Sequence, residues 1–495
     1  MEQHRAAVSR ATYVAAAIAF VAWLPFLRRP LESDESGFLM LARQWEPGGS
    51  LYGDHWVDRP PLLIWIFRLA AQLGPVELTA DGALAPGVRL VGATATVATV
   101  VLAGVLAARL SGGWSRRVVP LLAAALLASP LLGMPATNGE LLAAPFILLG
   151  VLCLVAAFGA PAGGRGLALA AGAGAAGMAA ALVKQNMVDL FVLAAVLMPL
   201  SAGRVPQLGR RVLALGGGAV ALLSVVLGSA AARGTSARDL WDAVVVFRLQ
   251  AAATIGAESS PATEHRMTLV ALAFVASGAA VTLLTTAFLA ARRTVREGPR
   301  SAPLALAALA MAAWELLGVA AGGSYWLHYL TGLVPGVVLL SCLAHPRGRR
   351  LLLVDACLVI TATACLAAWV HALVAPIDAT LARDAEAATY LRTHADPGDG
   401  VVVAFGRPDI VAASGLSSPY EHLWSLPVRV RDPGLAELRA VLSSPEAPRW
   451  VVVSGTSLTS WGISSPAAQE YLEQNYRQRA RFDELRVWER LPAGG

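Results

Sequence analysis

The stretch ESDESGFLMLARQWEPGGSLYGDHWVDRPPLLIWIF, residues 32–67, follows the first long apolar segment of the chain. It begins with the acidic pair Asp34 and Glu35, and it carries Asp58 and Arg59 immediately before two prolines. Charged side chains are costly inside hydrocarbon, so a membrane protein would hold such a stretch in a loop. The composition of the whole chain therefore decides how the stretch is interpreted.

The composition is that of a membrane protein. Of the 495 residues, 56% are hydrophobic and 15% are charged, which is too apolar and too long for one soluble core. Leu, Val, Ala and Gly dominate the apolar segments, as is typical of helices packed within a bilayer. The net charge of +6 would suggest nucleic acid for a soluble protein. Because the arginines lie mostly between apolar segments, where they orient helices, we expect no nucleic-acid partner.

The sequence predicts an α-helical polytopic membrane protein with about eleven spanning helices, because roughly 20 apolar residues cross the hydrocarbon layer. Segments 141–160, 212–232 and 267–291 carry no charge over their whole length. The two segments beside Lys184 are short, which leaves a partly re-entrant arrangement open. The predicted spans are 11–27, 88–108, 118–134, 141–160, 166–183, 187–202, 212–232, 267–291, 301–321, 326–344 and 351–374.

The distribution of arginine predicts the orientation of these helices. Arginines accumulate in alternate connections, which places those connections and the N-terminus on the cytoplasmic side of the plasma membrane. The extracytoplasmic side then receives the first loop (28–87), the loop 233–266 and the C-terminal tail. No small-residue cleavage site follows the first span, so we expect a retained signal anchor. The arginines concerned are Arg5, Arg10, Arg109, Arg116, Arg117, Arg165, Arg204, Arg210, Arg211, Arg292, Arg293, Arg296, Arg300, Arg347, Arg349 and Arg350.

The composition becomes more polar at about residue 375, which predicts two domains. These are a transmembrane domain over 1–374 and a small extracytoplasmic α/β domain over 375–495. No glycine-rich phosphate motif follows either predicted strand, so a structural or acceptor-docking role is favoured for the second domain over a catalytic one. The β-rich runs predict strands at 401–405 and 450–455, and the helical patterns predict helices at 380–394, 434–443 and 466–478.

The first loop contains two segments that are typical of interfacial helices. One runs from Glu35 to Trp45, and the other runs from Pro61 to Leu73 and is rich in Leu, Ile, Trp and Phe. Such amphipathic helices lie at the level of the lipid headgroups. The loop would then hold its carboxylates near hydrophobic walls, an environment that suits a general base. An inert, solvated connector is the alternative that the residues alone leave open.

These residues resemble the first extracytoplasmic loop of the C-type (GT-C) glycosyltransferases. The resemblance is to the branch that holds the protein O-mannosyltransferases and the lipid A aminoarabinose transferases. In that branch an Asp-Glu pair follows the first helix, and an acidic-basic-Pro-Pro/Leu motif precedes an interfacial helix. The pair DE at 34–35 and the run DRPPL at 58–62 match these positions. Further matches are TNGELL (137–142), LVKQN (182–186) and SYWLHYLTGLVPGVVLL (324–340), so the resemblance spans nearly the whole chain and implies the GT-C fold.

The resemblance implies transfer of a sugar from a polyprenyl phosphate to a hydroxyl group on the outer face of the plasma membrane. By resemblance, Asp34 is the general base that deprotonates the acceptor, and Glu35 supports it or shapes the acceptor site. One acceptor-activating carboxylate implies inversion at the anomeric carbon. Mannose and arabinofuranose are the sugars that the family suggests. The expected partners are the lipid-linked donor, membrane lipid and an acceptor that is a cell-wall glycan, a glycolipid or a protein.

The resemblance also implies cations that bind the donor phosphate, for which Arg59, Lys184, His328 and Tyr329 are the candidates. Arg59 lies where the family commonly has lysine; arginine grips a phosphate through two parallel hydrogen bonds, so the role is kept with a different geometry. An unpaired lysine near hydrocarbon costs roughly 3 kcal/mol, so we expect an anionic partner for Lys184. Snorkelling is the alternative for Lys184, and an interfacial aromatic belt is the alternative for Tyr329.

Further polar residues are predicted to line the sugar or acceptor pocket. Asn138 is equally well explained as a helix cap. Glu315 lies within a predicted span, where it either faces a cavity or pairs with a neighbouring helix. The predicted pocket residues are Asp58, Asn138, Glu140, Gln185 and Glu315.

No cofactor is required by this interpretation. A divalent ion shared by Asp34, Glu35 and Asp58 is an alternative that stays open. The four cysteines fall within predicted spans, so neither a disulfide framework nor a zinc site is expected.

Two other classes of function compete with sugar transfer. A membrane transporter or flippase would use the intramembrane charges of Glu315 and Lys184, but the sequence shows no internal repeat of the kind many transporters have. A non-catalytic membrane scaffold would have no use for a base beside two phosphate-binding cations. The acidic first loop therefore favours the enzyme.

Overall fold

The chain is described here by a computed structural model. Four positions used in the predictions lie outside the described residues. They are residue 301, which begins a predicted span, and three arginines used to predict the orientation, Arg5, Arg300 and Arg347. The structure describes residues 8–257, 261–297, 302–344, 346, 348–459 and 463–492.

Helices dominate the described part of the chain. In chain order the α-helices are α1 (Arg10–Trp23), α2 (Ser33–Gln44), α3 (Pro61–Gln72), α4 (Pro86–Leu110), α5 (Ser115–Leu127), α6 (Gly139–Gly159), α7 (Gly164–Val183), α8 (Asp189–Leu200), α9 (Leu208–Ala231), α10 (Ala237–Trp241), α11 (Phe247–Ala257), α12 (Pro261–Ala276), α13 (Ala279–Glu297), α14 (Ala302–Ala321), α15 (Leu333–Ala344), α16 (Arg349–Val374), α17 (Ala379–His394), α18 (Pro408–Ser414), α19 (Ser425–Arg431), α20 (Ala436–Ser443) and α21 (Pro466–Asn475). The strands are β1 (Glu77–Thr79), β2 (Gly82–Leu84), β3 (Val401–Ala404), β4 (Trp450–Ser454), β5 (Tyr476–Phe482) and β6 (Leu485–Arg490).

The long apolar helices make this a multi-pass membrane protein. Within the described residues, 7 helical segments are long and apolar enough to cross a membrane, and a bent pair raises the total to 8. Helices α1 and α8 are apolar but shorter. The prediction of about eleven spans includes both of them. Whether those short helices cross the bilayer stays a prediction.

The predicted span 267–291 is divided by a bend. Helices α12 and α13 meet at 60° within it. Gly278, between them, has a φ of +78°, a left-handed conformation that glycine adopts without steric cost. A Cβ atom at this position would lie 2.6 Å from Thr361 Oγ1 of α16. Apolar composition does not reveal this break, because glycine and serine are common within spans and other helices can satisfy the freed backbone groups.

The chain forms two compact units, of which the first contains most of the apolar helices. It comprises the described residues within Met1–Phe26, Arg89–Val226 and Ser260–Ala375. Small residues bring its helices close together: a Cβ atom on Gly218 of α9 would overlap the backbone of α7, a contact typical of membrane helix packing. The indole nitrogen of Trp23 donates a hydrogen bond of 3.1 Å to the Thr96 hydroxyl and so ties α1 to α4.

The second unit joins segments that are distant in sequence. It comprises the described residues within Leu27–Val88, Leu227–Ser259 and Pro376–Gly495. Its main sheet has the order β3-β4-β6-β5, in which β3 and β4 are parallel and the other pairs are antiparallel. Ala83 of the first loop belongs to the same apolar cluster as Val403 of this sheet. The first loop and the C-terminal segment therefore share one core, and the predicted domains 1–374 and 375–495 stay a prediction.

The elements of the C-terminal segment match the predicted ones in part. Strands β3 and β4 and helices α17 and α20 form where the sequence predicts them. The predicted helix 466–478 is wrong at its end, because α21 stops at Asn475 and the next residues begin β5. Strands β5 and β6 and helices α18 and α19 were not predicted. Strand β5 alternates arginine with other residues at a sheet edge, and such charged edge strands lack an apolar signal.

Candidate functional site

The acidic pair of the first loop lies in the first turn of α2. Glu35 is 1% exposed, and its Oε2 accepts a hydrogen bond of 3.0 Å from the Glu32 backbone N–H. The Glu32 side chain in turn accepts a hydrogen bond from the Glu35 backbone, which completes a capping box. This cap explains why the helix begins at Ser33 and confirms the helix predicted near 35–45. Glu35 thus stabilises the helix start, and its catalytic role stays a prediction.

Asp34 is held by a tryptophan from the C-terminal segment. Its Oδ1 accepts a hydrogen bond of 2.9 Å from Trp424 Nε1. The Trp424 ring packs against Phe38, with 5.7 Å between ring centroids. A Cβ atom on Gly37 would overlap the Trp424 ring, so the absence of a side chain at position 37 lets the indole approach. This contact fixes the direction of the Asp34 carboxylate, which stays half-buried.

Asp58 lies between two guanidinium groups. It forms ion pairs with Arg59 and Arg248, and only 11% of its side chain is exposed. Trp56 packs against Phe247 with 4.5 Å between ring centroids, which brings the neighbouring Arg248 to Asp58. Two guanidinium groups and one carboxylate leave a net charge of +1 on this trio. Arg248 was not predicted, because nothing near it in the sequence matches a motif.

The charges of this trio settle the ionisation of Asp58. Burial by itself raises its pKa, but the guanidinium groups of Arg248 and Arg59 more than offset that effect and lower it. Asp58 is therefore an anion at neutral pH. Asp58 lies between the two arginines and is suited to orient them. Its role in the sugar pocket stays a prediction.

The Asp34 and Arg59 side chains flank one aromatic pair within the second unit. The Arg59 guanidinium lies 5.7 Å from the centroid of the Phe38 ring, while Trp424, which packs on Phe38, holds Asp34. The Tyr52 hydroxyl donates a hydrogen bond of 3.2 Å to the Arg59 carbonyl. The structure thus brings a carboxylate and a phosphate-binding candidate to the same aromatic platform.

Four of the predicted residues meet within the first unit. Lys184, at the end of α7, forms an ion pair with Glu140 in the first turn of α6. The Lys184 ammonium also lies 4.8 Å from the centroid of the Tyr329 ring. His328 Nε2 is 4.0 Å from Glu140 Oε2. The predicted anionic partner of Lys184 is therefore Glu140, and the phosphate-binding role of the group stays a prediction.

The remaining predicted residues of the first unit have identifiable places. Asn138 caps α6, because its Oδ1 accepts a hydrogen bond of 2.9 Å from the Leu141 backbone. Gln185 is half-buried beside Lys184. Glu315 is buried and its carboxyl group meets that of Asp189 on α8, so it pairs with a neighbouring helix. Asp189 was not predicted, since it occupies the first turn of a helix, where a carboxylate is ordinary.

The predicted site residues are thus divided between the units. Asp34, Glu35, Asp58 and Arg59 belong to the second unit, and the group around Lys184 belongs to the first. That the base Asp34 lies beside both predicted phosphate-binding cations, Arg59 and Lys184, stays a prediction. Among the described residues, the group with metal-ligand spacing is Glu421, His422 and Glu437, whereas Asp34, Glu35 and Asp58 do not form such a group.

Comparison with known proteins identifies the fold through solved structures. No family model matches the sequence, and no curated protein matches it. The chain is similar to ArnT from Cupriavidus metallidurans bound to undecaprenyl phosphate, with 12% identity, 98% of each chain covered and a TM-score of 0.59.

Two other solved structures share this architecture. One is the oligosaccharyltransferase AglB from Archaeoglobus fulgidus in complex with an inhibitory peptide and a dolichol-phosphate, with 12% identity, 94% of this chain and 72% of that chain covered, and a TM-score of 0.56. The other is the arabinofuranosyltransferase AftD from Mycobacteria, with 16% identity, 99% and 40% covered, and a TM-score of 0.51. The chain therefore has the fold of the GT-C membrane glycosyltransferases, as the sequence predicts.

Proposed function

We propose that this chain, which has the fold of the GT-C glycosyltransferases, transfers a sugar from a polyprenyl phosphate to a hydroxyl acceptor. The observation that carries the proposal is the arrangement in the second unit, where Trp424 orients the Asp34 carboxylate on an aromatic platform that also contacts Arg59. The likeness to ArnT bound to undecaprenyl phosphate and to AglB with a dolichol-phosphate supports a lipid phosphate as the leaving group.

Asp34 acts as the general base in this proposal. Its carboxylate takes the proton of the acceptor hydroxyl while the hydroxyl oxygen attacks the anomeric carbon of the sugar. The bond from that carbon to the phosphate oxygen breaks, and its electron pair stays on the lipid phosphate. A single displacement of this kind inverts the anomeric configuration, by analogy with inverting glycosidases. The Trp424 hydrogen bond keeps the carboxylate aimed without a rotational cost at the moment of reaction.

Positive charge stabilises the departing phosphate. Arg59 and Arg248, oriented by Asp58, together provide more positive than negative charge, which favours an approaching phosphate. Lys184, with His328 and Tyr329, is the second candidate group for phosphate, and Glu140 and Gln185 are the candidates for sugar hydroxyls beside it. Mannose and arabinofuranose are the candidate sugars.

The location follows from the charge pattern. The arginine-rich connections and the N-terminus lie in the cytoplasm of this plasma-membrane protein, by the positive-inside rule. The first loop and the C-terminal segment then act outside the cell on a cell-wall glycan, a glycolipid or a protein. The proposed transfer requires no nucleotide or other cofactor.

Substitution Asp34→Asn tests the proposal. We expect it to lower transfer from a radiolabelled polyprenyl-phosphate mannose or arabinofuranose by about 10²- to 10⁴-fold. Folding should be kept, because an asparagine oxygen still accepts the Trp424 hydrogen bond. Asp54→Asn, in the same loop but exposed, is the matched control and should transfer normally. Transfer by Asp34→Asn at the wild-type rate with both donors would rule out Asp34 as the base.

A proton-coupled transporter is the second candidate, favoured by the carboxyl pair of Asp189 and Glu315. Both side chains are buried in apolar helices, where ionisable groups often mark a proton path. Asp189→Asn together with Glu315→Gln would then stop uptake of a lipid-linked or small substrate into proteoliposomes. Under our proposal, proteoliposomes of the wild-type protein transfer sugar and this double variant does not alter proton flux.

A further inference from the structure

A group of possible metal ligands lies in the second unit and has no part in the proposed transfer. His422 Nε2 is 3.2 Å from Glu421 Oε1 and 3.4 Å from Glu437 Oε2. The three ligand atoms all lie within 4.8 Å of one another. One neutral nitrogen ligand and two carboxylate oxygens form a donor set that suits zinc and other divalent transition metals.

The burial of the His422 imidazole, whose ring nitrogens lack hydrogen-bond partners within the described residues, points to a bound ligand. His422 is 2% exposed, and neither ring nitrogen has a hydrogen-bond partner within the described part of the chain. A buried polar atom without a partner is costly. An ion bound at Nε2, the ring nitrogen that lies nearest to the two carboxylates, would give this buried group a partner.

The two carboxylates of the group lie on the same side of the imidazole as Nε2. The Glu421 and Glu437 carboxylates converge on the same imidazole nitrogen, so two like charges lie close together. Arg431 forms an ion pair with a different carboxylate, that of Asp242, at 2.6 Å. A cation placed among the three ligand atoms would be attracted by both carboxylates and would satisfy the imidazole nitrogen.

The two distances from the imidazole nitrogen fit a tetrahedral ion. Zinc bonds to nitrogen and oxygen of about 2.0–2.1 Å place two ligand atoms of a tetrahedral site about 3.3 Å apart. The two distances from His422 Nε2, 3.2 Å and 3.4 Å, lie on either side of this value. Both carboxylates are partly exposed, at 40% and 55% of their side chains, so water can reach a fourth position.

The surrounding contacts hold the ligands in place. Asp432 accepts hydrogen bonds from the Tyr420 hydroxyl at 2.9 Å and from the Glu437 backbone at 3.1 Å. It therefore holds the loop before His422 and the first turn of α20 together.

A second contact anchors the loop from its other side. The Glu421 carbonyl accepts a hydrogen bond of 2.9 Å from the Trp56 backbone. Ligands held by such outer contacts bind a metal without much rearrangement.

We propose that Glu421, His422 and Glu437 bind one Zn²⁺ ion, with water as the fourth ligand. The ion joins the loop of Glu421 and His422 to α20, and through Trp56 it braces the segment that leads to Asp58. This site is independent of the proposed sugar transfer, because its occupancy is measured without a donor or an acceptor.

Zinc retention by the full chain tests the site. The purified protein in detergent micelles is stripped with chelator, equilibrated with Zn²⁺, desalted and assayed by mass spectrometry for metal content. We expect one Zn²⁺ per chain and a rise in the unfolding temperature on adding Zn²⁺, because an ion that binds only the folded state stabilises it. His422→Ala should lose the retained zinc and the rise in unfolding temperature.

Variants of the exposed ligands keep the test decisive if His422→Ala fails to fold. Glu437→Gln changes a side chain that is 55% exposed and should fold, with zinc affinity lowered at least about 10-fold. Glu446→Gln, an exposed glutamate elsewhere in the unit, is the control and should retain zinc. Absence of bound zinc in the wild type, or equal retention by Glu437→Gln and Glu446→Gln, would overturn the proposal.

Discussion

At the scale of single residues, Lys184 shows how the chain accommodates a charge in an apolar unit. Its side chain is 12% exposed and forms an ion pair with Glu140, which is 3% exposed. Breaking such a buried pair by removing one partner leaves a charge without compensation. Lys184 is therefore both a structural residue and a candidate for phosphate binding, and its two roles make different predictions.

We predict that Lys184→Met lowers the free energy of unfolding by about 3–5 kcal/mol, because the buried Glu140 carboxylate loses its lysine partner. The double variant Lys184→Met with Glu140→Gln removes both charges and should recover most of that stability. Thermal unfolding of the detergent-solubilised protein, followed by tryptophan fluorescence, measures both. A single variant as stable as the wild type would contradict a structural ion pair.

Transfer activity of the same double variant separates the second role. If Lys184 binds the donor phosphate, a well-folded double variant should still lose transfer, and its KM for the donor should rise. Full activity in that variant would limit Lys184 to stabilising the first unit.

Arg59 differs from the lysine that the resemblance leads one to expect, and its surroundings explain how arginine fits. Arginine presents several N–H donors in a planar fork, so one guanidinium group can contact Asp58 and a second anion at the same time. Arg248 supplies a second guanidinium to the same carboxylate. The local charge is therefore set by a trio of residues and not by position 59 alone.

At the scale of elements, helix α2 connects the acidic motif to the fold. Its first turn is fixed by the capping box of Glu32 and Glu35, and Asp34 lies between these two capping residues in the sequence. The side of the helix at Gly37 and Phe38 packs against Trp424. The position of the proposed base thus depends on both the helix cap and the packing of α2.

We predict that Glu35→Ala lowers the free energy of unfolding by about 0.5–2 kcal/mol, because the helix start loses its cap. Glu35→Gln should preserve stability, because a glutamine oxygen accepts the same hydrogen bond from Glu32. Chemical denaturation of the two variants measures the difference.

Transfer by Glu35→Gln then tests the chemical role that the resemblance implies. We expect it to keep most of the activity if Glu35 only caps α2. A stable Glu35→Gln variant without activity would assign the carboxylate itself to the acceptor site.

At the scale of the whole molecule, the second unit is assembled around buried charges that link distant segments. Asp409 of α18 accepts a hydrogen bond from the Ser33 hydroxyl at the start of α2. Burial and the nearby Asp384 carboxylate raise the pKa of Asp409 to about 7. Asp384 pairs with Arg383 at 2.9 Å and with Arg407 at 3.2 Å. The contact between the first loop and the C-terminal segment thus contains the carboxyl group of Asp409, which stays protonated to a higher pH than an ordinary aspartate.

We predict that the stability of the protein falls as the pH rises from about 4 to about 7. The folded Asp409 keeps its proton up to about pH 7, whereas its ordinary pKa is 3.8, so the unfolded chain loses the proton earlier. This contribution is fully present below pH 4 and is lost as the pH rises through 7, at up to about 1.4 kcal/mol per pH unit.

Asp409→Asn should weaken this dependence and stabilise the protein at pH 8. Unfolding temperatures of the wild type and the variant between pH 5 and pH 8 measure it, with Glu446→Gln as an exposed control. Parallel profiles for the wild type and Asp409→Asn would contradict a raised pKa.

Local properties of the sequence predict which segments are apolar enough to span a membrane and where the acidic motif lies. Apolar length, helix caps and the pair at 34–35 are local properties, so α2, α3, β3 and β4 form close to their predicted positions. The same local motifs also carry the resemblance that predicts the GT-C fold. They do not show the break at Gly278, because a span tolerates glycine without a change in hydropathy.

The partners of the charged residues depend on how distant segments pack together. Trp424 lies 390 positions from the Asp34 that it contacts, and the ligand group of Glu421, His422 and Glu437 forms only when α20 packs beside a loop. Arg248 and Asp189 likewise carry no local motif. Such contacts depend on which surfaces fit together after folding, and no spacing along the chain records that choice. The electrostatic surroundings of these charged residues therefore depend on the folded molecule, whereas the apolar segments are recognisable from composition.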